Sequence, residues 1–261
     1  MQTVAARSNV VRMSYQAPAS TAHLRAVPRA IASCTTCSSK SFCLPLPSAQ
    51  GSAVLEELVT QRVRLRKGET LVRSGDAFTS LFTVRTGSCK SVVTTTGGQE
   101  QVVGYHISGD ILGAQAIYAQ THDCAIIALE DSEFCMLPFD RLESIARQNP
   151  EFHHSFNALL SREIGRERRA TLILGTMRAE QRLACFLLDL ADRYRARGYS
   201  SCEFVLRMTR EEIGSHLGLK LETVSRLFSR FHQEGLIRVQ GRDVKILDRV
   251  ALTQLVEATL Q

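Results

Sequence analysis

Three cysteines stand within ten residues near the N-terminus, in the segment Cys34-Thr-Thr-Cys37-Ser-Ser-Lys-Ser-Phe-Cys43. The residues between them are mostly Ser and Thr and show no hydrophobic periodicity. Thiolates are the ligands that soft metal ions and iron–sulfur clusters prefer, and a short polar loop can bring three of them to one centre. The segment therefore predicts a metal or cluster site. A C-x-x-C redox pair and three ordinary reduced cysteines remain as alternatives.

The other five cysteines are scattered through apolar or strand-like runs, at Cys89, Cys124, Cys135, Cys185 and Cys202. This scatter is typical of a reducing compartment, where clustered cysteines more often bind metal or take part in catalysis than form disulfides. We therefore expect a cytoplasmic protein. The seven histidines show neither metal-binding nor triad spacing, and we expect no enzymatic activity.

The composition is that of a soluble protein with two domains. The chain has 261 residues, of which 44% are hydrophobic and 22% charged, and no apolar run approaches the ~18 residues of a membrane span. Residues 1–50 carry five basic and no acidic side chains and so account for most of the net charge of +6. The basic charge is therefore weak evidence for nucleic-acid binding. Residues 1–33 predict a flexible tail, in preference to a transit peptide of similar composition.

Short β-favouring runs separated by glycines fill the stretch from about Arg62 to Pro138. Examples are the runs at 81–85 and 125–129, with turn residues between them. Strands that recur about every ten residues, with turn signals between, predict a sandwich or jelly roll. We expect a β-roll sensor domain that includes the cysteine loop and covers residues 34–149.

A long helix is predicted over residues 150–175, beginning at Pro150. Along it, residues at alternating spacings of four and three form the repeat of a coiled-coil seam: Leu160, Ile164, Glu167, Thr171 and Leu174. In a homodimer built on this seam two Glu167 side chains would approach and oppose association. The alternative is an amphipathic helix that packs on its own domain and leaves Glu167 solvated.

Residues 176–261 carry the signals of a winged helix-turn-helix domain. The segment Thr209-Arg-Glu-Glu212 is a capping box that begins a helix, and Gly218 ends it. A second helix follows, with a buried face predicted at Val224, Leu227, Phe228 and Phe231. The residues at 237–246 then predict a β-hairpin, the wing.

The other face of the second helix carries side chains that can read base edges. Arginine can bind both acceptors of guanine, and glutamate can accept from the cytosine amino group, so Glu222 and Arg226 can enter a major groove together. A Glu–Arg ion pair on the helix surface is the alternative. The predicted DNA contacts are Thr209, Arg210, Glu222, Ser225, Arg226, Ser229 and Arg230. On the wing, Arg238, Arg242 and Lys245 are predicted to contact phosphates.

Together, the β-roll, the long helix and the winged helix-turn-helix resemble the CRP/FNR superfamily of bacterial transcription regulators, over roughly residues 30–261. The Cys34-x2-Cys37-x5-Cys43 spacing and the Glu222-x-x-Ser225-Arg226 arrangement are similar to those of its FNR branch. The segment 132–139 resembles the region that supplies the fourth cluster ligand in that branch, which assigns this role to Cys135 rather than Cys124. The resemblance implies a [4Fe-4S] cluster held by Cys34, Cys37, Cys43 and Cys135.

The resemblance also implies a mechanism and partners. The cluster-bearing form would be a homodimer that binds TTGAT-type inverted repeats in double-stranded DNA and acts with RNA polymerase in anaerobic gene control, and oxygen would degrade the cluster. Ile164 and Glu167 match positions that make and oppose the dimer. The run 109–117 lacks the glutamate of a cyclic-nucleotide site and 122–125 lacks its cation, so we expect no cyclic nucleotide. We expect no membrane partner.

Two residues depart from the pattern of the branch. Phe42 precedes the third cysteine where a smaller aliphatic residue is expected, which would alter oxygen access to a cluster. Lys220 stands where a hydroxyl side chain usually caps the second helix, which weakens that cap.

Overall fold

The computed structural model of the chain describes residues 25–27, 34, 37–43 and 51–257. Most of the predicted tail, residues 1–33, lies outside the described residues. Within it Arg25–Val27 form strand β1, which pairs with the strand at Gln61–Leu65.

Two antiparallel sheets form the N-terminal β-roll. Their strands are β1 (Arg25–Val27), β2 (Gln61–Leu65), β3 (Thr70–Val72), β4 (Ser80–Thr86), β5 (Ser88–Thr94), β6 (Glu100–Ile107), β7 (Ile111–Leu112), β8 (Ala125–Ala128) and β9 (Ser132–Pro138). One sheet has the order β1-β2-β9-β4-β7 and the other β3-β8-β5-β6. Val84 and Phe134 of the first sheet share a buried core with Cys89 and Ile126 of the second. The predicted jelly roll is confirmed.

Among the described residues, five helices belong to the sensor domain or follow it directly. They are α1 (Lys40–Cys43), α2 (Gly51–Leu58), α3 (Ala116–Ala119), α4 (Phe139–Gln148) and α5 (Pro150–Thr176). The long helix α5 begins as predicted, because Pro150 occupies its first turn and the Asn149 side chain accepts a hydrogen bond from the Phe152 N–H at 2.9 Å. No described helix combines the length and the apolar character needed to cross a bilayer.

The C-terminal domain is a winged helix-turn-helix. It contains α6 (Ala179–Ala196), β10 (Glu203–Val205), α7 (Arg210–Leu217), α8 (Leu221–Gln233), β11 (Ile237–Gln240), β12 (Asp243–Ile246) and α9 (Arg249–Glu257). The strands form a sheet in the order β10-β12-β11. The four apolar residues predicted for the inner face of α8 are all buried. The predicted α+β architecture, a β-roll followed by a long helix and a winged helix-turn-helix, is therefore confirmed.

The C-terminal domain packs against the β-roll. Val102 and Tyr105 of β6 lie in the same buried apolar cluster as Leu187 of α6 and Ile213 of α7. At the edge of this contact the Val102 N–H donates to Ser215 Oγ at 2.8 Å. The domains thus share one continuous core, which the sequence did not predict because the residues involved are distant along the chain.

His106 on β6 makes the stability of the fold depend on pH. Burial lowers its pKa to about 4, so the folded protein keeps the ring neutral while the unfolded chain takes up a proton near pH 6.5. The free energy of unfolding should therefore fall as the pH drops from about 6.5 towards 4, by at most about 1.4 kcal/mol per pH unit from this residue. Urea unfolding of the wild type and of His106→Gln between pH 7 and 4 measures the difference.

The His106→Gln variant should lose less stability than the wild type over this pH range. His153→Gln is the matched control, because His153 is exposed on α5. Equal losses in the wild type and His106→Gln would contradict the assignment.

Candidate cluster site and nucleic-acid interface

Strand β9 places Cys135 in the middle of a sheet. It lies beside α1 (Lys40–Cys43), which carries Cys43 and is called the cysteine helix below. Its register partners are Arg62 on β2 and Thr83 on β4. Cys43, at the end of α1, lies with its Sγ 3.4 Å from Thr83 Oγ1. Cys34 packs against the apolar cluster that contains Cys135. The fold therefore brings both ends of the cysteine segment to the strand that carries Cys135.

The thiols are close enough to affect one another's ionisation. Burial raises the pKa of Cys43 to about 12, with further contributions from Cys135, Cys34 and Cys37. Burial also raises the pKa of Cys34 to about 11, and Cys135 and Cys37 add to the increase. Each negative charge would destabilise the next, so these thiols would ionise together only around a cationic centre.

Cys124 lies elsewhere. Its Sγ accepts a hydrogen bond from Gln115 Nε2 at 3.2 Å. Burial raises its pKa to about 11, and the charge that adds most to this increase is Asp123 rather than another thiol of the N-terminal segment. The structure thus groups Cys135, and not Cys124, with the cysteines of the N-terminal segment.

The candidate donors around Cys135 are thiols, the ligand type that iron–sulfur clusters prefer. In the described part of the chain, no three His, Cys, Asp or Glu side chains converge tightly enough to hold one metal ion. The carboxylate next to Cys135 on β9 is Glu133, which forms ion pairs with Arg64 at 2.9 Å and Arg85 at 2.7 Å. Since this carboxylate is already bound, the thiols remain as the soft donors of the site.

Most of the predicted seam lies on the part of α5 that the described residues leave exposed. The first half of the helix packs on the β-roll through Phe152, Phe156 and Leu159. Further along, Glu167 and Thr171 are exposed, Ile164 is 58% exposed and Leu174 is 39% exposed. Leu160 is partly buried at the junction. The first half of α5 thus matches the alternative of an amphipathic helix that packs on its own domain. The second half matches the predicted seam, because it presents apolar side chains to solvent.

A cavity of about 840 Å³ separates the β-roll from α5. It is lined by the 111–115 stretch in which the sequence lacks a ribose-binding glutamate, and by Cys124 and His106. Asp123, Glu163 and Glu167 bring three carboxylates to its wall, against one cation, Arg168, among the described lining residues. A cyclic phosphate would therefore meet an unfavourable charge.

The helix-turn-helix begins with the predicted capping box. Thr209 Oγ1 accepts from the Glu212 N–H at 3.1 Å, and the Thr209 N–H donates to Glu212 Oε2 at 2.7 Å. Gly218 ends α7 with a φ of +63°. A second glycine, which the sequence interpretation missed, permits the tight turn: a Cβ on Gly214 would lie 2.6 Å from the Leu219 carbonyl oxygen.

The outer face of α8 is available to a ligand. Glu222, Ser225 and Arg226 are exposed, and within the described chain Glu222 and Arg226 form no ion pair with each other or with another residue. The surface ion pair that was the alternative to base contacts is therefore absent in this structure. Ser229 is also exposed, and its Oγ donates to the Ser225 carbonyl oxygen at 3.1 Å.

Two of the predicted DNA contacts already have partners within the chain. Arg230 forms ion pairs with Glu180 at 2.6 Å and with Glu234 at 3.3 Å. The Arg210 guanidinium lies 3.3 Å from the centre of the Phe228 ring, and burial lowers its pKa to about 10. Both would have to give up these contacts to reach DNA.

The wing forms as predicted, from β11 and β12 with Gly241 in the turn. Lys245 is paired with Glu203 at 3.2 Å, and Arg242 Nη1 donates to the Arg207 carbonyl oxygen at 3.4 Å. Arg238 is exposed on β11. Of these three cations, Arg238 is the one most readily available to a phosphate.

Comparisons with known proteins match both domains. Residues 62–149 match the family described as "Cyclic nucleotide-binding domain", and residues 181–255 match "Crp-like helix-turn-helix domain". The Bordetella pertussis "Transcriptional regulatory protein btr" is 45% identical over 226 residues, 86% of this chain and 93% of that protein. The Pseudomonas aeruginosa "Transcriptional activator protein anr" is 40% identical over 244 residues, 93% of this chain and 99% of that protein.

Among solved structures, FixK2 from Bradyrhizobium japonicum has a TM-score of 0.69 with 28% identity. The superposition covers 74% of this chain and 96% of that one. The likeness therefore extends over nearly the whole of that protein.

Proposed function

Because this chain belongs to the CRP/FNR family of transcription regulators, we propose that it is a DNA-binding activator that responds to oxygen through a [4Fe-4S] cluster. The observation that carries the proposal is that Cys34 packs against the apolar cluster containing Cys135, while Cys43 contacts Thr83, the register partner of Cys135. The Pseudomonas aeruginosa relative is named a transcriptional activator, and a Haemophilus influenzae relative, 37% identical, is named "Anaerobic regulatory protein".

In this proposal Cys34, Cys37, Cys43 and Cys135 hold the cluster. When bound, the cluster supplies an oxygen-labile iron–sulfur centre. The protein's own contribution is a fixed ligand on a rigid strand, Cys135, and three ligands on a segment that closes over it. Ser39 anchors that segment: it is 5% exposed, and its Oγ donates to the Arg85 carbonyl oxygen at 3.1 Å.

Dimerisation along α5 connects this site to DNA. The exposed apolar seam supplies the association energy, and the two Glu167 carboxylates oppose it, so a small change at the sensor domain shifts the equilibrium. In the dimer, two copies of α8 read a TTGAT-type inverted repeat. RNA polymerase is the proposed partner at promoters. The acidic wall of the cavity supports an effector other than a cyclic nucleotide.

Anaerobic purification tests the proposal. We expect brown protein with iron and sulfide near four per chain, and we expect DNA binding to fall in parallel with the visible absorption during titration with air. Colourless protein, zinc in place of iron, or DNA binding that is indifferent to air would overturn it. Haem or a disulfide as the sensing group would show a different spectrum.

The Glu167→Ala variant tests the role of the seam. Two carboxylates about 4 Å apart in water repel by about 1 kcal/mol, so removing both should tighten the dimer in air by about fivefold or more. Sedimentation velocity of the cluster-free protein measures the effect.

Glu151→Ala, an exposed carboxylate at the start of the same helix, is the control and should leave the monomer–dimer equilibrium unchanged. A Glu167→Ala protein that stays as monomeric as the wild type would refute the repulsion.

A further inference from the structure

Residues 108–110, the turn between β6 and β7, are bound on one side by the cysteine helix. Phe42, next to Cys43 in α1, packs directly on Gly109: a Cβ at Gly109 would lie 2.5 Å from the Phe42 Cβ. The φ of Gly109 is +90°, which also favours glycine. The Ser39 and Ser108 hydroxyls form a hydrogen bond with each other. The position of α1 is thus coupled to the position of this turn.

The C-terminal domain binds the same turn from the other side. Asp110, whose side chain is 3% exposed, accepts from Arg197 Nη2 at 2.7 Å and also from Arg193. Arg193 lies in the last turn of α6, and Arg197 is the residue that caps its C-terminus. Arg197 Nε donates to the Ser108 carbonyl oxygen, and Arg193 Nη2 donates to the Tyr105 carbonyl oxygen at 3.0 Å.

One contact joins the two sides directly. The Arg197 guanidinium lies 5.1 Å from the centre of the Phe42 ring, within the range of a cation–π interaction. The same arginine therefore binds Asp110 and the residue that precedes a predicted cluster ligand.

From these contacts we propose that Phe42 and Arg197, through the turn at residues 108–110, couple the position of the cysteine helix to the docking of the DNA-binding domain on the β-roll. The coupling is a second route to DNA besides the dimer seam, although Asp110 also lies 3.9 Å from Arg166 of α5. The input to this coupling rests on the proposed function, because binding of the cluster is what would hold α1 in place.

Docking of the C-terminal domain on the β-roll affects DNA binding because it fixes the position of α8. The docked domain faces β6 with α7, and Lys90 of the neighbouring strand β5 forms an ion pair with Glu212 at 2.7 Å. The outer face of α8 stays exposed. Fixing this domain against the β-roll therefore fixes α8 relative to α5. In a dimer it sets the distance between the two recognition helices, which a palindrome requires.

Hydrogen–deuterium exchange on the full-length protein tests the coupling. Loss of one cation–π contact corresponds to about 2- to 5-fold in an opening equilibrium, so Phe42→Leu and Arg197→Gln should each speed amide exchange in β6 and α7 by at least about that factor. Because the two residues share one contact, the double variant should show less than the product of the two single effects.

Arg195→Gln is the matched control. Arg195 lies in the last turn of α6, two residues before Arg197. Its side chain is 66% exposed, and its ion pair is with Asp192 rather than with the β-roll. It should leave exchange in β6 and α7 unchanged. Multiplicative effects of Phe42→Leu and Arg197→Gln, or no effect of Phe42→Leu, would overturn the proposal.

A second measurement separates this coupling from the cluster itself. Removal of iron by a chelator should speed exchange in α7 of the wild type, and should do so less in Phe42→Leu. Wild-type exchange that is indifferent to chelation would refute the coupling. Absence of iron from anaerobic protein would instead refute the proposed function, and the comparison of variants would still decide the contact.

DNA binding provides the functional readout. Arg197→Gln should weaken binding to a full inverted repeat by about 2- to 5-fold or more, and should leave binding to a single half-site unchanged, because neither Phe42 nor Arg197 lies on the outer face of α8. Equal losses on both DNAs would point to damage in the domain itself and count against the proposal.

Discussion

Replacement of Cys135 by alanine should abolish the retention of iron and sulfide in anaerobically purified protein, while Cys124→Ala should retain both at the wild-type level. Cys135 lies near Cys34 and Cys43, and its strand β9 pairs with β2 on one side and β4 on the other. Cys124 instead lies on the wall of the cavity between the β-roll and α5, and its Sγ accepts a hydrogen bond from Gln115. The loss should be nearly complete, since three remaining thiolates leave one iron of the cluster without its protein ligand.

Iron and sulfide content and the visible spectrum, measured on protein purified without oxygen, decide this prediction. The thermal midpoints of both variants should also be recorded, because a buried cysteine contributes to packing. If Cys124→Ala loses the cluster and Cys135→Ala keeps it, the assignment of the fourth ligand is wrong.

The second large effect is expected at the recognition helix. Arg226→Ala should reduce the preference for a TTGAT-type repeat over a repeat with altered bases by about 1–3 kcal/mol per half-site, which is about 5- to 150-fold. The structure supports this choice because Arg226 is exposed and without an ion-pair partner in the described chain. Alanine cannot make a bidentate contact to guanine, so the preference between DNA sequences should fall more than the overall affinity for DNA.

Arg238→Ala on the wing is the matched control, since it removes an equally exposed arginine. It should weaken binding to every DNA sequence by a similar factor and reduce the slope of affinity with salt by about one. Competition binding at several salt concentrations separates the two variants. If Arg226→Ala also weakened all sequences equally, its contact would be to phosphate.

Arg230 is a predicted DNA contact that already has an ion-pair partner within the protein. Its position on α8 is the one predicted, yet Glu180 on α6 binds it at 2.6 Å. The two residues are 50 positions apart, so helical periodicity carries no information about their pairing. Arg210 is similar, because its guanidinium is stacked on Phe228. For these two residues the sequence indicated the correct face but not the competing partners.

For the cysteine site, too, the sequence and the tertiary structure identify different parts. Spacing alone marked Cys34, Cys37 and Cys43, and resemblance, rather than spacing, added Cys135. Periodicity cannot identify a fourth ligand about ninety residues away, because nothing local distinguishes Cys135 from Cys124. The pairing of β9 with β4, which sets Cys135 opposite Thr83, makes the distinction.

By itself the sequence determined the elements of this protein: the jelly-roll strands, the long helix that begins at Pro150, the capping box and the two faces of α8. Such features depend on residues within one or two turns of each other, so propensity, capping and periodicity are sufficient to predict them. Only the tertiary structure decided that the two domains share a core and that Asp110 joins Arg193, Arg197 and the turn beneath Phe42. These contacts link residues more than 60 positions apart, and their partners are selected by burial and by the docking of whole elements, which no local pattern encodes.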